Sequence, residues 1–220
     1  MTKPNFAVVL SGCGVYDGAE IHEAVLTLLA IDRAGGAYAC FAPDRAQMHV
    51  VNHLTGEATA ESRNVLVESA RIARGKISPL SAFKAADFDG LIFPGGFGAA
   101  KNLSSFAVDG PGCSVDADVA AAINAMHQAG KPIGALCIAP AVLAKVLGGK
   151  VSLTIGSDQG TAAAIEAMGA THCPTTHAEV VVDQTHKVVT SPCYMLDASI
   201  GQIADGAAAT VAAILKLLGR

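Results

Sequence analysis

The apolar positions of this chain change period repeatedly. Short unbroken runs at Phe6–Leu10, Ala37–Ala42, Gly90–Phe93, Ile133–Leu136 and Val151–Ile155 are too short for helices and read as buried strands. Between them the spacing lengthens to three or four residues. Glu20–Arg33 carries Ile21, Val25, Leu28 and Leu29 on one stripe and closes at Gly35-Gly36, and Arg63–Arg74 closes at Gly75. Ala117–Ala129 starts behind Asp116, a good N-cap, and stops at Gly130. Ile138–Lys145, Gln159–Met168 and Asp197–Leu218 complete the helical segments, the last with the stripe Ile200, Ile203, Ala207, Val211, Ile214. Met48–Glu61, around Thr55-Gly56, predicts a peripheral β-hairpin, and so do Glu179–Val182 and Lys187–Thr190 around Asp183–His186. Strands alternating with helices, without repeats or low-complexity linkers, predict one α/β domain over residues 1–220. Its sheet should be mostly parallel, with helices on both faces and right-handed crossovers.

In such a sheet, chemistry collects in the loops beyond the carboxyl ends of the strands. Three loops qualify: Ser11–Gly18, Pro94–Gly98 and the turn at Cys137. Cys137 is pinned between a strand and a helix that holds Pro140 in its first turn, where a missing N–H does no harm. Free N–H groups and the positive helix end would face its sulfur and favour the thiolate. The layout is that of a nucleophile elbow with sulfur in place of the serine oxygen. The plainer reading of Cys137 is a small buried core residue. Gly95 and Gly96 let backbone N–H groups point into a site, or simply make a tight turn. Glu23 lies one turn into the first helix on the face shared with Glu20. Held in an apolar site it would be protonated and could hydrogen-bond the sulfur and carry protons; otherwise it is a solvated residue that suits the helix dipole. Cys13, in the first loop, joins Gly95 and Gly96 as a candidate for contacting substrate or oxyanion.

Two motif signals are weaker, and only the first, nucleotide binding through Gly12–Gly18, stays open as a third reading. Gly12-x-Gly14, with Asp44 after the second strand, opens like a dinucleotide site, but Gly18 comes one residue late and Tyr16 and Asp17 would crowd a pyrophosphate. His22-Glu23 starts like a zinc-binding HExxH helix, but the second ligand position is Leu26.

Apolar residues make up 51% of the 220 and charged ones only 15%, enough to bury a large core. A net charge of -4 gives no electrostatic reason to expect nucleic acid or acidic membranes as partners. There is no run of 18 apolar residues, and MTKPNFAVVLSG lacks a signal-peptide layout, so a cytoplasmic protein is expected. Six cysteines without a CxxC spacing read as thiols in a reducing compartment, and neither a metal site nor a cofactor is expected.

The segments SGCGVYDGAEIHEAVLTLLAI, NHLTGEA, PGGFGAAKNLS, CIAPAVL and the stretch from SPCYML onward resemble the ElbB-type glyoxalases, or enhancing lycopene biosynthesis proteins, over nearly the whole chain. Those proteins belong to the PfpI-like superfamily, with the class I glutamine amidotransferase domains. The resemblance implies a flavodoxin-like three-layer sandwich with Cys137 as nucleophile, Glu23 as the acid on the first helix, and oxyanion donors near Gly96 and Ile138. It also implies cofactor-free conversion of glyoxal to glycolate (a lyase of the hydro-lyase type), a possible deglycase activity, a link to isoprenoid biosynthesis and a homodimer. Many superfamily members place a histidine directly after the cysteine or after the following strand. Here those places hold Ile138 and Thr154-Ile155-Gly156-Ser157. Of the seven histidines only His177 is a candidate to approach the site, His22 being expected on the other face of its helix. Without a Cys-His pair, amidotransfer is not expected. A cramped, uncharged site suited to glyoxal is the enzymatic expectation; the alternative is a redox-sensing or partner-binding protein using the same cysteine.

Overall fold

The computed structural model describes residues 3–149 and 151–220, so the first two positions of the N-terminal stretch lie outside it. β1 (Asn5–Val9), β2 (Ala37–Ala42), β3 (Ile77–Pro79), β4 (Gly90–Phe93), β5 (Ile133–Leu136), β8 (Val181–Asp183) and β9 (Val188–Ser191) form one sheet in the order β3-β2-β1-β4-β5-β9-β8. All neighbours are parallel except β8 and β9. The chain winds outward from β1 through β2 and β3, then returns to place β4 on the other side of β1. That reversal opens a crevice at the carboxyl ends of β1 and β4.

Alternation along β1 explains the layering. Phe6 and Val8 pack with Ile31 of α1 (Ile21–Arg33) and Val211 and Ile214 of α8 (Ile200–Leu217) on one face. Ala7 and Val9 pack on the other with Ile123 and Met126 of α5 (Ala117–Gln128) and Leu143 of α6 (Pro140–Leu147). The result is the flavodoxin-like sandwich, with α2 (Val65–Ile72), α3 (Phe97–Lys101), α4 (Phe106–Asp109) and α7 (Gln159–Ala167) at its margins. α8 is long and apolar enough to cross a membrane by length and composition. Its apolar stripe is instead spent on the sheet, with Ile203, Ala207, Val211 and Ile214 buried.

Three expectations need correction. Val151–Ile155 does not join the main sheet: only Ser152–Leu153 (β6) is strand, paired with β7 (Thr171–His172) in a separate two-stranded sheet. The place beside β5 is taken by β9, and the Thr154 N–H ends on the Thr190 hydroxyl at 2.9 Å rather than in a backbone ladder. The hairpin around Asp183–His186 is therefore no peripheral feature but the edge of the main sheet. Met48–Glu61 forms no strands, only an isolated Val51–Ala58 bridge, because its turn is largely exposed and Val50 alone is buried there among the large apolar residues.

Candidate active site

The elbow is real in its backbone. Cys137 adopts φ 60°, a left-handed conformation unusual for a residue with a Cβ, which marks stored strain at the end of β5. Its N–H donates to the Ser191 carbonyl of β9 at 2.9 Å. The turn then enters α6 with Pro140 at the helix start. Cys137 is buried, 7% exposed, but lines a cavity of about 650 Å³ at the crevice.

Glu23 reaches this sulfur because α1 begins against the β4 loop. The Glu20 N–H donates to the Gly95 carbonyl at 2.9 Å, and the Glu20 carboxylate caps the helix by accepting from the Glu23 N–H at 2.7 Å. Gly96 has φ 97° and a Cβ there would strike the Glu20 N and the Gly18 carbonyl oxygen, so both its conformation and its space demand glycine. The Glu23 carboxyl is fully buried. Its Oε2 accepts from the Gly95 N–H at 3.0 Å, its Oε1 from the Tyr194 N–H at 3.1 Å, and the Cys137 side chain is hydrogen-bonded to it. Burial pushes the Glu23 carboxyl up to about 8; the Tyr194 and Gly95 N–H groups pull the other way, and the Glu20 charge adds to the rise.

The sulfur is not ionised at rest, contrary to the expectation from the helix end. Burial pushes the Cys137 thiol well above its ordinary value and the neighbouring Glu23 charge raises it further. The Gly96 and Ile138 N–H groups, hydrogen-bonded to the sulfur, offset only part of this. α6 presents few free donors, and desolvation of a wholly buried charge outweighs them. At neutral pH the pair therefore carries a proton on each group. Loss of the Glu23 proton, near 8, leaves one proton between carboxyl and sulfur.

The structure thus brings Cys137, Glu23, Gly95, Gly96 and Ile138 together. Cys13 does not join them: it is absent from the cavity wall, and its charged neighbours are Glu68, Arg71 and Asp17. The loop that carries it is filled from the side of the Met48–Glu61 segment. A Cβ on Gly14 would overlap the His53 imidazole, and one on Gly12 would lie 2.9 Å from Gln47 Oε1, which leaves no cradle for a phosphate. Among the described residues lining the cavity none is a histidine, and His177 is not there. His22, read as facing away, is exposed, yet its Nδ1 is 2.8 Å from the hydroxyl of Tyr194, a wall residue. Tyr194 was missed by sequence reasoning, since what it gives Glu23 is a main-chain N–H that no side-chain pattern announces. The site is not cramped either. The Lys101–Cys113 segment, which holds α4, contributes Phe106, Ala107 and Gly110 to its wall.

No family model matches the chain. It is 53% identical to the human glutamine amidotransferase-like class 1 domain-containing protein 3, mitochondrial, covering 97% of this chain and 83% of that protein. It is 52% identical to the rat ES1 protein homolog, mitochondrial, over 99% of this chain and 85% of the relative. The crystal structure of an isoprenoid biosynthesis protein with an amidotransferase-like domain from Ehrlichia chaffeensis superposes with a TM-score of 0.90 at 37% identity, covering 96% of this chain and 99% of that one. Drosophila melanogaster DJ-1beta, at 18% identity and TM-score 0.56 over 99% of this chain and 97% of that chain, shares the fold. The expectation of a cytoplasmic protein does not stand against the human and rat relatives, which are mitochondrial by name. On these identities and extents the chain belongs to the ES1/ElbB family of class 1 glutamine amidotransferase-like proteins.

Proposed function

We propose that this protein is a cofactor-independent glyoxalase that converts small 2-oxoaldehydes to 2-hydroxy acids through a covalent adduct on Cys137. The observation that carries the reading is the buried Cys137–Glu23 pair. Its acid is poised near 8, and two backbone N–H groups converge where oxygen charge would form.

The thiol adds to the aldehyde carbon of glyoxal. Its proton passes by way of Glu23 to the carbonyl oxygen, giving a hemithioacetal. The Glu23 carboxylate then takes the hydrogen on that carbon as a proton, which produces an enediol. Return of a proton to the neighbouring carbon leaves a thioester, in which the first carbon is oxidised and the second reduced. Water cleaves the thioester and frees the thiol, so glyoxal and one water become glycolic acid with no outside oxidant. The Gly96 and Ile138 N–H groups steady the oxygen in each addition. Without an imidazole among the described residues of the wall, glutamine hydrolysis, which needs a Cys-His pair to release ammonia, is not favoured. A raised thiol also weighs against the redox-sensor reading, because peroxide attacks the thiolate. The relatives' names support a mitochondrial setting.

Purified protein incubated with glyoxal should release glycolate, and Cys137→Ser should release none above the uncatalysed rate. Equal rates for the two proteins would overturn the reading.

A further inference from the structure

A cavity of about 650 Å³ is far more than glyoxal fills: at the roughly 30 Å³ that a water molecule occupies in the liquid, its four heavy atoms need about 120 Å³. The excess volume is in the size range of sites for drug-sized ligands. Its wall is mainly apolar, with Phe97, Phe106, Ala164 and Met195 lining it together with Cys137 and Ile138. Among the described residues lining it there is no Lys, Arg or His, and Asp158 is the one carboxylate. The N-terminus of α7 would otherwise attract an anion here, but the Asp158 carboxylate already occupies it, accepting from the Thr161 N–H at 2.7 Å. Lys101, whose ammonium lies 5.2 Å from the Phe97 ring centroid, is outside the wall and bound to the Tyr16 carbonyl at 2.8 Å.

We propose that the cavity beyond Cys137 holds an uncharged apolar substituent R of the electrophile that reacts there, so that the natural substrate is a 2-oxoaldehyde R–CO–CHO, and that Asp158 turns anionic substituents away. The identity of the electrophile rests on the glyoxalase reading; the selectivity of the cavity does not. The group R is carried unchanged through the steps above. The product, R–CH(OH)–COO⁻, is itself an anion, so the charge of Asp158 also favours its departure. Hydrogen bonds from the Thr161 side chain and main chain hold the Asp158 carboxyl below the usual carboxylate range.

The test uses alkylation of Cys137, read by peptide mass spectrometry, with three iodoacetyl reagents: iodoacetamide, its N-phenyl derivative and iodoacetate. Each rate is divided by the rate of the same reagent with glutathione. The normalised rate should be about tenfold higher for the phenyl reagent than for iodoacetamide, and about threefold or more lower for iodoacetate. Asp158→Asn, which still caps α7, should remove the penalty on iodoacetate, and Ala164→Phe should remove the advantage of the phenyl group. Normalised rates equal for all three reagents would overturn the proposal, and so would an iodoacetate penalty unchanged in Asp158→Asn. In parallel, kcat/KM for phenylglyoxal should exceed that for glyoxal. Selective alkylation without any turnover would support the cavity's selectivity while removing the glyoxalase reading. Turnover with unselective alkylation would do the reverse.

Discussion

Gly95 donates its backbone N–H to Glu23 Oε2 at 3.0 Å, and the side chain it lacks is what allows that carboxyl to lie beside Cys137. A methyl group there would sit 2.6 Å from Glu23 Oε2, 2.9 Å from the Leu136 carbonyl oxygen and against the Cys137 Cβ. None of these neighbours is the free end of a flexible chain. Gly95→Ala should therefore cost about 1–3 kcal/mol of stability by overpacking. It should also lower glycolate formation at least about tenfold, as the pair is forced apart. Urea unfolding and the glycolate assay measure the two effects; wild-type values for both would show that the carboxyl and sulfur have room to spare.

Glu23 ties stability to pH. In the folded protein its carboxyl keeps its proton up to about 8, whereas in the unfolded chain it loses it near the ordinary 4.5. Between those values the folded state binds more protons, so stability falls as pH rises. The contribution is complete below about 4.5 and is lost by the time pH has passed 8, a change on the order of 5 kcal/mol. Glu23→Gln should show a much shallower decline between pH 5 and 9. It should start from lower stability in acid, because an amide can accept from only one of the Gly95 and Tyr194 N–H groups. Parallel pH curves for the two proteins would contradict the assignment.

A second buried side chain holds the first loop. Asn102 Nδ2 donates to the Ser11 and Asp17 carbonyls, each at 2.8 Å, and its Oδ1 accepts from the Met48 N–H at 3.0 Å. Asn102→Ala would orphan three main-chain groups at once. A loss of about 2–4 kcal/mol is expected in urea unfolding. A change under about 1 kcal/mol would mean that water replaces all three bonds.

The parts of this fold legible in the sequence are those where an unbroken apolar run marks a strand of the parallel sheet: β1, β2, β4 and β5 are each read within one residue of their bounds. β3 escaped notice because it is three residues long and ends in Pro79, and β7 because two residues carry no period; β6 was read, but as the longer strand Val151–Ile155. The same logic governs the site. The meeting of Cys137, Glu23, Gly95 and Gly96 was legible because strand-end loops and the first turn of a helix announce where side chains and free N–H groups must converge, while Ile138 was carried by the family resemblance. Two things were hidden. The ionisation of Cys137 depends on how completely the tertiary fold excludes water, a quantity the local sequence does not carry. The size of the cavity depends on where Phe106 and Met195, far apart in the chain, come to rest.

The central claim is that Glu23 carries the protons for chemistry at Cys137, and the pH dependence of glyoxal turnover tests it most directly. The working form holds one proton between the pair, so kcat/KM should rise about tenfold per pH unit below an inflection near 8, where the Glu23 proton is lost. Glu23→Gln should lower the rate about 100-fold or more and abolish the inflection. A profile flat between pH 6 and 9, or the same inflection in Glu23→Gln, would contradict the account.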